Sequence, residues 1–179
     1  GFGYDDCRGH PRWMEPAEWQ GAEASRCHPL HLISNQPRWR LHSQADAGTV
    51  SRSHKVRDRE PVLINPGDAL SRGIAEGDIV RIFNDRGSCL AGAALTPSVR
   101  PGVVQLATGA WYDPAELGEI GSLDKHGNPN VLTRDVGTSK LGQGPVAQST
   151  LVEIERHEGR VPEITVFPQP QTRAAGDGG

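Results

Sequence analysis

Aromatic residues make up only 5% of the 179-residue chain and Met occurs once, so the hydrophobic core is adequate but modest, with 35% apolar residues overall. Cysteine is just as sparse. Cys7, Cys27 and Cys89 are odd in number, far apart and never arranged as C-x-x-C, which supports neither a disulfide framework nor a zinc or iron–sulfur site. Unpaired cysteines favour a reducing compartment, so the expected location is cytoplasmic. No apolar run approaches the roughly 18–20 residues of a membrane span, and no membrane segment is expected. The chain starts at Gly1 without a Met, as a fragment or a processed product does, so the lack of a signal peptide carries no weight. A net charge of −3 without any run of basic residues argues against a nucleic-acid partner. There is no G-x-S-x-G elbow, no Asp-Thr-Gly or Asp-Ser-Gly, no P-loop and no G-x-G-x-x-G. Serine nucleophiles, aspartic-protease halves and the usual nucleotide folds are thereby set aside.

What the chain has in excess is Gly (22) and Pro (14), together about a fifth of its length and spread evenly. That pattern predicts one domain of short strands and tight turns. Strands are expected over Leu30–Ile33, Pro61–Asn65, Ile79–Asn84, Cys89–Leu95, Val103–Thr108 and Thr150–Glu155. Asn65 should cap a short helix with Pro66 first and Gly73 as its left-handed stop, and Asn84-Asp85-Arg86-Gly87 should form a hairpin turn. A short helix is expected from Pro16 to about Gly21. Phe2, Tyr4, Trp13, Met14 and Trp19 are too apolar for a free tail and should pack on this domain or on a partner. Ala45–Arg59, polar and without periodicity, reads as an exposed excursion. The small residues of the Cys89–Leu95 strand should let another backbone approach closely. Strands at this spacing argue for a closed or nearly closed β-barrel.

Two loops stand out chemically. The first leaves the Leu30–Ile33 strand at Ser34, is blocked from continuing the ladder by Pro37, and crowds Asn35, Gln36, Arg38, Arg40, His42, Ser43 and Gln44 together. The second runs from Gly109 to about Gln148, too long for an ordinary connection and too rich in apolar anchors to be disordered. Arg38, Arg40 and Ser43 suit an anion, while Asn35, Gln44, Asn130 and Gln143 suit the edge of a heterocycle, since each amide offers a donor beside an acceptor. His28 and His31 lie three apart in a strand and so face opposite ways, which argues against a shared metal; His42 and His126 are single and read by default as structural. From the residues alone, the chain is a small barrel whose loops could bind a phosphorylated heterocycle.

A set of ordered motifs goes further. They are Leu32-Ile33-Ser34-Asn35-Gln36-Pro37, Arg40-Leu41-His42-Ser43-Gln44, Ile64-Asn65-Pro66 running on to Gly87, Trp111-Tyr112-Asp113-Pro114, Asn130-Val131-Leu132-Thr133, and Thr138-Ser139-Lys140-Leu141-Gly142-Gln143-Gly144. Together, over about residues 1–156, they resemble the C-terminal molybdopterin dinucleotide-binding domain of the dimethyl sulfoxide reductase family of molybdenum enzymes. Within that family the chain looks most like the biotin sulfoxide reductase and trimethylamine N-oxide reductase branch. The Gly9-His10-Pro11 and Glu15-Pro16-Ala17-Glu18-Trp19 lead-in points to the former.

The resemblance implies a mainly β, double-psi β-barrel with short helices and long loops, carrying part of a bis(molybdopterin guanine dinucleotide) molybdenum site. It implies cofactor contacts from Ser34, Asn35, Gln36, Arg38, Arg40, His42, Ser43 and Gln44, from Trp111 and Tyr112, and from Asn130 and Gln143. Asn65, Asp68 and the 84–87 turn read as structural. The family's protein ligand to molybdenum has no counterpart here, so no catalytic or metal-ligating residue is expected and the domain alone should be inert. Its expected partners are the remaining domains of a parent reductase and a small S-oxide or N-oxide. The chain divides into an N-terminal arm (1–27), the binding barrel (28–156) and a polar, proline- and glycine-rich tail (157–179). The alternative is a free-standing double-psi barrel serving as an adaptor without cofactor. A twin-arginine leader on the parent would move the expected location to the periplasm.

Overall fold

The computed structural model describes residues 3–7 and 9–168. Among them, strands β1 (Leu30–Ile33), β2 (Pro61–Ile64), β3 (Ile79–Asn84), β4 (Gly87–Leu95), β5 (Val103–Leu106) and β6 (Thr150–Arg156) close into one barrel in the order β1-β5-β2-β4-β3-β6. β1 runs parallel to β5 and β2 parallel to β4, while the other neighbours are antiparallel. This is the mainly β, double-psi barrel with short helices and long loops expected from the sequence.

The core follows from alternation along each strand. Leu30 and Leu32, Val62 and Ile64, Val80 and Ile82, Ala91 and Ala93, Val104 and Leu106, and Val152 and Ile154 all point inward and are essentially inaccessible. The core cluster contains no aromatic residue, which accounts for their scarcity in the chain: a barrel this narrow is filled by aliphatic side chains. Helix α2 (Pro66–Leu70) lies between β2 and β3. The Asn65 side chain caps it by accepting from Gly67 N–H at 2.9 Å, and Gly73 follows it with φ +63°. At the β3–β4 turn, Asn84 Nδ2 donates to the carbonyls of Leu132 (2.9 Å) and Leu151 (3.0 Å), tying the long loop and β6 to the hairpin.

Three expectations change. First, residues 16–21 form bends and a turn, and a 3₁₀ helix appears instead at Glu23–Arg26. Tertiary contacts override the local signal: Glu18 is held by both Arg86 Nη atoms (2.7 and 2.9 Å) and accepts from Leu151 N–H, while the Trp19 ring covers Gly21. The paired cations and that N–H outweigh the effect of burial and hold the Glu18 carboxyl below its ordinary pKa. Of the arm's large apolar groups, Trp13 (76%), Met14 (55%), Tyr4 (42%) and Trp19 (39%) remain exposed rather than packed on this domain; Phe2 lies outside the described residues.

Second, residues 45–59 are exposed only in part. They contain helix α1 (Thr49–Ser53) and bury Asp46, Ser51 and Arg59: Asp46 pairs with Lys55, the Ser51 hydroxyl donates to Asp46, and Arg59 donates to the carbonyls of Arg57 and Pro162. Gly92 in β4 accommodates the end of this segment: a Cβ there would fall 2.2 Å from Val56 Cβ. Third, residues 161–168 of the stretch read as a tail lie against the domain. Thr165 N–H and hydroxyl both donate to Asp113, and Lys125 Nζ reaches the Thr165 hydroxyl at 2.9 Å. The remainder, 169–179, lies outside the described residues.

Candidate cofactor-binding face

Because β1 and β5 are parallel and in register (Ile33 beside Gln105), the segments leaving their C-terminal ends emerge side by side. The loop from 34 to 44 and the stretch from 107 to 112 are then joined by hydrogen bonds. Thr108 N–H donates to Asn35 O (2.9 Å), Gln105 Nε2 to Asn35 Oδ1 (2.8 Å), and Asn35 Nδ2 to Gln36 O (2.8 Å). Ser34 is fixed through its backbone: its N–H donates to Gln148 Oε1 at 3.2 Å, and Gln148 Nε2 donates back to Ser34 O. Gln36 Nε2 lies 3.0 Å from His42 Nδ1; an amide nitrogen only donates, so this ring nitrogen accepts. The loop turns through His42 (φ +51°) and Ala45 (φ +58°), both left-handed. Gly109 (φ +90°) allows the close approach, since a Cβ there would lie 2.2 Å from His42 O.

Beneath this surface is a buried ion cluster. Lys55 Nζ contacts Asp46 Oδ1 at 2.8 Å and Glu60 Oε2 at 2.9 Å. Arg40 contacts Glu60 Oε2 at 3.1 Å and Asp46 Oδ1 at 3.4 Å. All four side chains are at most 5% exposed. Burial pushes the Asp46 carboxyl up, but hydrogen bonds from Lys55 and Trp111 N–H, with the Lys55 charge, more than offset it and leave its pKa below the ordinary value. The guanidinium of Arg40 is thus neutralised by carboxylates. Its Nε still donates to His42 O (3.0 Å) and its Nη2 to Thr108 O (3.2 Å), so it shapes both loops from below.

Trp111 is fixed at three polar groups. Its backbone N–H donates to Asp46 Oδ2 (3.0 Å), its carbonyl meets His126 Nδ1 (2.9 Å), and its indole N–H donates to Ser43 O (2.8 Å), yet the residue remains 39% exposed. His126 is completely buried, and burial together with the Lys55 charge holds its pKa below the usual 6.5. The neutral ring therefore donates from Nδ1, and its Nε2 has no partner among the described residues.

The second loop is organised by Asp124. Its Oδ2 accepts from the N–H groups of Gly127 (2.7 Å), Asn128 (2.7 Å) and His126 (3.2 Å), and its Oδ1 from Asp113 N–H (2.8 Å). Burial raises the Asp124 pKa despite these donors. Asn128 caps the 3₁₀ turn Pro129–Val131 through Asn130 N–H, leaving the Asn130 side chain exposed. Gln143 (φ +47°) closes its own loop, donating to Ser139 O (2.9 Å) and Lys140 O (3.1 Å).

The structure therefore gathers Ser34, Asn35, Gln36, His42, Ser43 and Trp111 into one surface, with the Arg40 side chain buried beneath it. Arg38 (exposed, 4.8 Å from the Trp39 ring centroid), Gln44 and Tyr112 adjoin them in the same loops, and their side chains make no hydrogen bond among the described residues. No hydrogen bond or ion pair among the described residues joins Asn130 or Gln143 to the 34–44 loop. The sequence reading missed Asp46, Lys55, Glu60, Asp124 and Gln148, whose importance comes from partners far along the chain. It took His126 for a structural histidine, the position it occupies here. A cleft of about 650 Å³ lies elsewhere, between the 57–59 turn and residues 161–168. The candidate face presents exposed residues at Arg38, Gln44, Trp111 and Tyr112.

Residues 30–151 match the family described as molydopterin dinucleotide binding domain. The chain is 48% identical over 170 residues to the dimethyl sulfoxide/trimethylamine N-oxide reductase of Cereibacter sphaeroides, a match spanning 95% of this chain and 21% of that protein. It is 52% identical over 164 residues to trimethylamine-N-oxide reductase 1 of Escherichia coli (strain K12), spanning 90% of this chain and 19% of that one. The chain thus spans about a fifth of the length of these relatives. Among solved structures, acetylene hydratase from Pelobacter acetylenicus superposes with a TM-score of 0.66 at 16% identity, over 82% of this chain and 21% of that one, a likeness of fold.

Proposed function

The chain belongs to the molybdopterin dinucleotide-binding domain family, and from that premise we propose that it supplies one face of a bis(molybdopterin guanine dinucleotide) site in a longer oxidoreductase that reduces S-oxides or N-oxides. The observation that carries this reading is the joined pair of loops, with buried groups holding the backbone from below while the side chains of Arg38, Gln44 and Tyr112 make no hydrogen bond among the described residues. This donor set fits the group. Arg38 suits a phosphate, Gln44 and Asn130 suit a pterin edge, and the fixed indole of Trp111 offers a flat apolar surface. Arg40 contributes by shaping the loops. When bound, the cofactor supplies the metal at which oxygen transfer occurs. The residues of this chain orient it and exclude water from one side.

The catalytic ligand to the metal belongs to another part of the parent, so the isolated domain is inactive. Residues 28–156 form the binding unit, with 161–168 strapped onto it, and the exposed Trp13 and Met14 of the arm suit contact with the parent's other domains. No helix among the described residues is long and apolar enough to cross a membrane. We place the parent in the cytoplasm, or in the periplasm if it carries a twin-arginine leader.

The test is anaerobic equilibrium dialysis of the 179-residue chain against cofactor released from a holo-reductase. Saturable retention is expected, weakened in an Arg38→Ala/Gln44→Ala/Tyr112→Phe variant. Equal retention by both proteins, or by neither, would sink the assignment of this face.

A further inference from the structure

Asp46 belongs to the stretch that reads as featureless from sequence, yet its carboxylate is the junction of the face. Its Oδ1 accepts from Lys55 Nζ (2.8 Å) and the Ser51 hydroxyl (3.3 Å) and lies 3.4 Å from Arg40 Nε. Its Oδ2 accepts from Trp111 N–H (3.0 Å) and lies 3.7 Å from His126 Nδ1. One side of the carboxylate therefore governs the 34–44 loop, through Arg40 and its bond to His42 O. The other side governs Trp111 directly. With Asp46 and Glu60 negative, Arg40 and Lys55 positive and His126 neutral, the cluster is balanced. Removing the charge at residue 46 leaves two buried cations against one carboxylate.

We propose that Asp46 is the positioning residue of the cofactor face, holding Trp111 and the Arg40-bearing loop in the arrangement that receives the ligand. This deepens the reading above and rests on it for the identity of the ligand. Asp46 touches no reacting group; it acts through Trp111 and Arg40. A role confined to stability would be served as well by apolar packing, because exchanging a buried ion cluster for hydrophobic residues is often neutral or better. The contacts instead run outward, to a backbone N–H and to an arginine that grips the loop carbonyls.

The test follows the backbone amide resonance of Trp111, the N–H that Asp46 accepts, in the ¹⁵N-labelled chain, first without any cofactor. Asp46→Asn should shift it and speed its exchange with solvent about tenfold, the worth of a hydrogen bond to a charged group. The exposed Trp13 indole should not respond. Ser51→Ala, which removes the hydroxyl that donates to Asp46 and accepts from Arg40 Nη1 while leaving every charge of the cluster in place, should move the resonance less and in the same direction. Ile82→Val, a change in the barrel core, should leave it in place. In dialysis with released cofactor, Asp46→Asn should lower retention about tenfold at a temperature where both proteins are folded. A Trp111 resonance unmoved by Asp46→Asn and Ser51→Ala, or moved as much by Ile82→Val, overturns the proposal. If Trp111 responds as described while wild-type chain retains no cofactor, the hold of Asp46 on the face stands and the ligand assignment falls.

Discussion

Lys55 Nζ and Asp46 Oδ1 lie 2.8 Å apart, with side chains 1% and 0% exposed, in a segment that looks from its sequence like a solvated loop. Breaking a buried pair strands the remaining charge, which typically costs about 3–5 kcal/mol. Lys55→Ala should lower the urea midpoint accordingly with little change in slope. Arg81, whose pair with Glu155 is largely exposed, should cost less than about 1 kcal/mol when replaced by Ala. Similar losses for both variants would contradict the distinction.

Gly109 and Gly121 separate strain from collision. Both have positive φ, +90° and +77°, so Ala at either site carries a backbone penalty of about 1–2 kcal/mol. Around Gly121 there is open space, whereas a Cβ on Gly109 meets His42 O. Gly109→Ala should therefore destabilise more and should also displace the 42–44 amide resonances. Gly121→Ala should leave those resonances unchanged.

His126 sets a pH limit. Its pKa is lowered in the fold, so the unfolded chain takes up a proton first as the pH falls below 6.5, the value for the free side chain. Stability present at neutral pH should fall below that point by at most about 1.4 kcal/mol per pH unit, for one proton. His126→Gln should be less stable at pH 7 but should lose this slope just below pH 6.5. An unchanged slope in chemical denaturation across that window would remove His126 as its source.

Phe167 packs edge-on against His126 at 4.9 Å, with Arg52 4.7 Å from its ring centroid. Phe167→Ala should cost about 1–3 kcal/mol and speed amide exchange at His126 and Gly127. Exchange unchanged at those amides would show that residues 161–168 do not secure the ion cluster.

The barrel was legible because each strand declares itself locally. Alternation in Ile79–Asn84, the Asn65-Pro66 cap and the Asn84–Gly87 turn involve neighbours in sequence. The helix expected at 16–21 failed because Glu18 is captured by Arg86, 68 residues away. The ion cluster was invisible for the same reason: Arg40, Asp46, Lys55, Glu60 and His126 look like solvated charges until the fold brings them together. The candidate face was half legible. Its loop residues were visible as crowded donors, but the division between outward groups such as Arg38 and Gln44 and the inward Arg40 depends on tertiary contacts.

The central claim, that the loops after β1 and β5 form a face for the dinucleotide cofactor, is tested most directly by mapping backbone amide shifts of the ¹⁵N-labelled chain during titration with anaerobically released cofactor. The account predicts saturable perturbations concentrated in residues 34–44 and 108–112, with the Trp111 indole among them. Perturbations confined to the 52–59 and 161–168 cleft, or none above background, would contradict it.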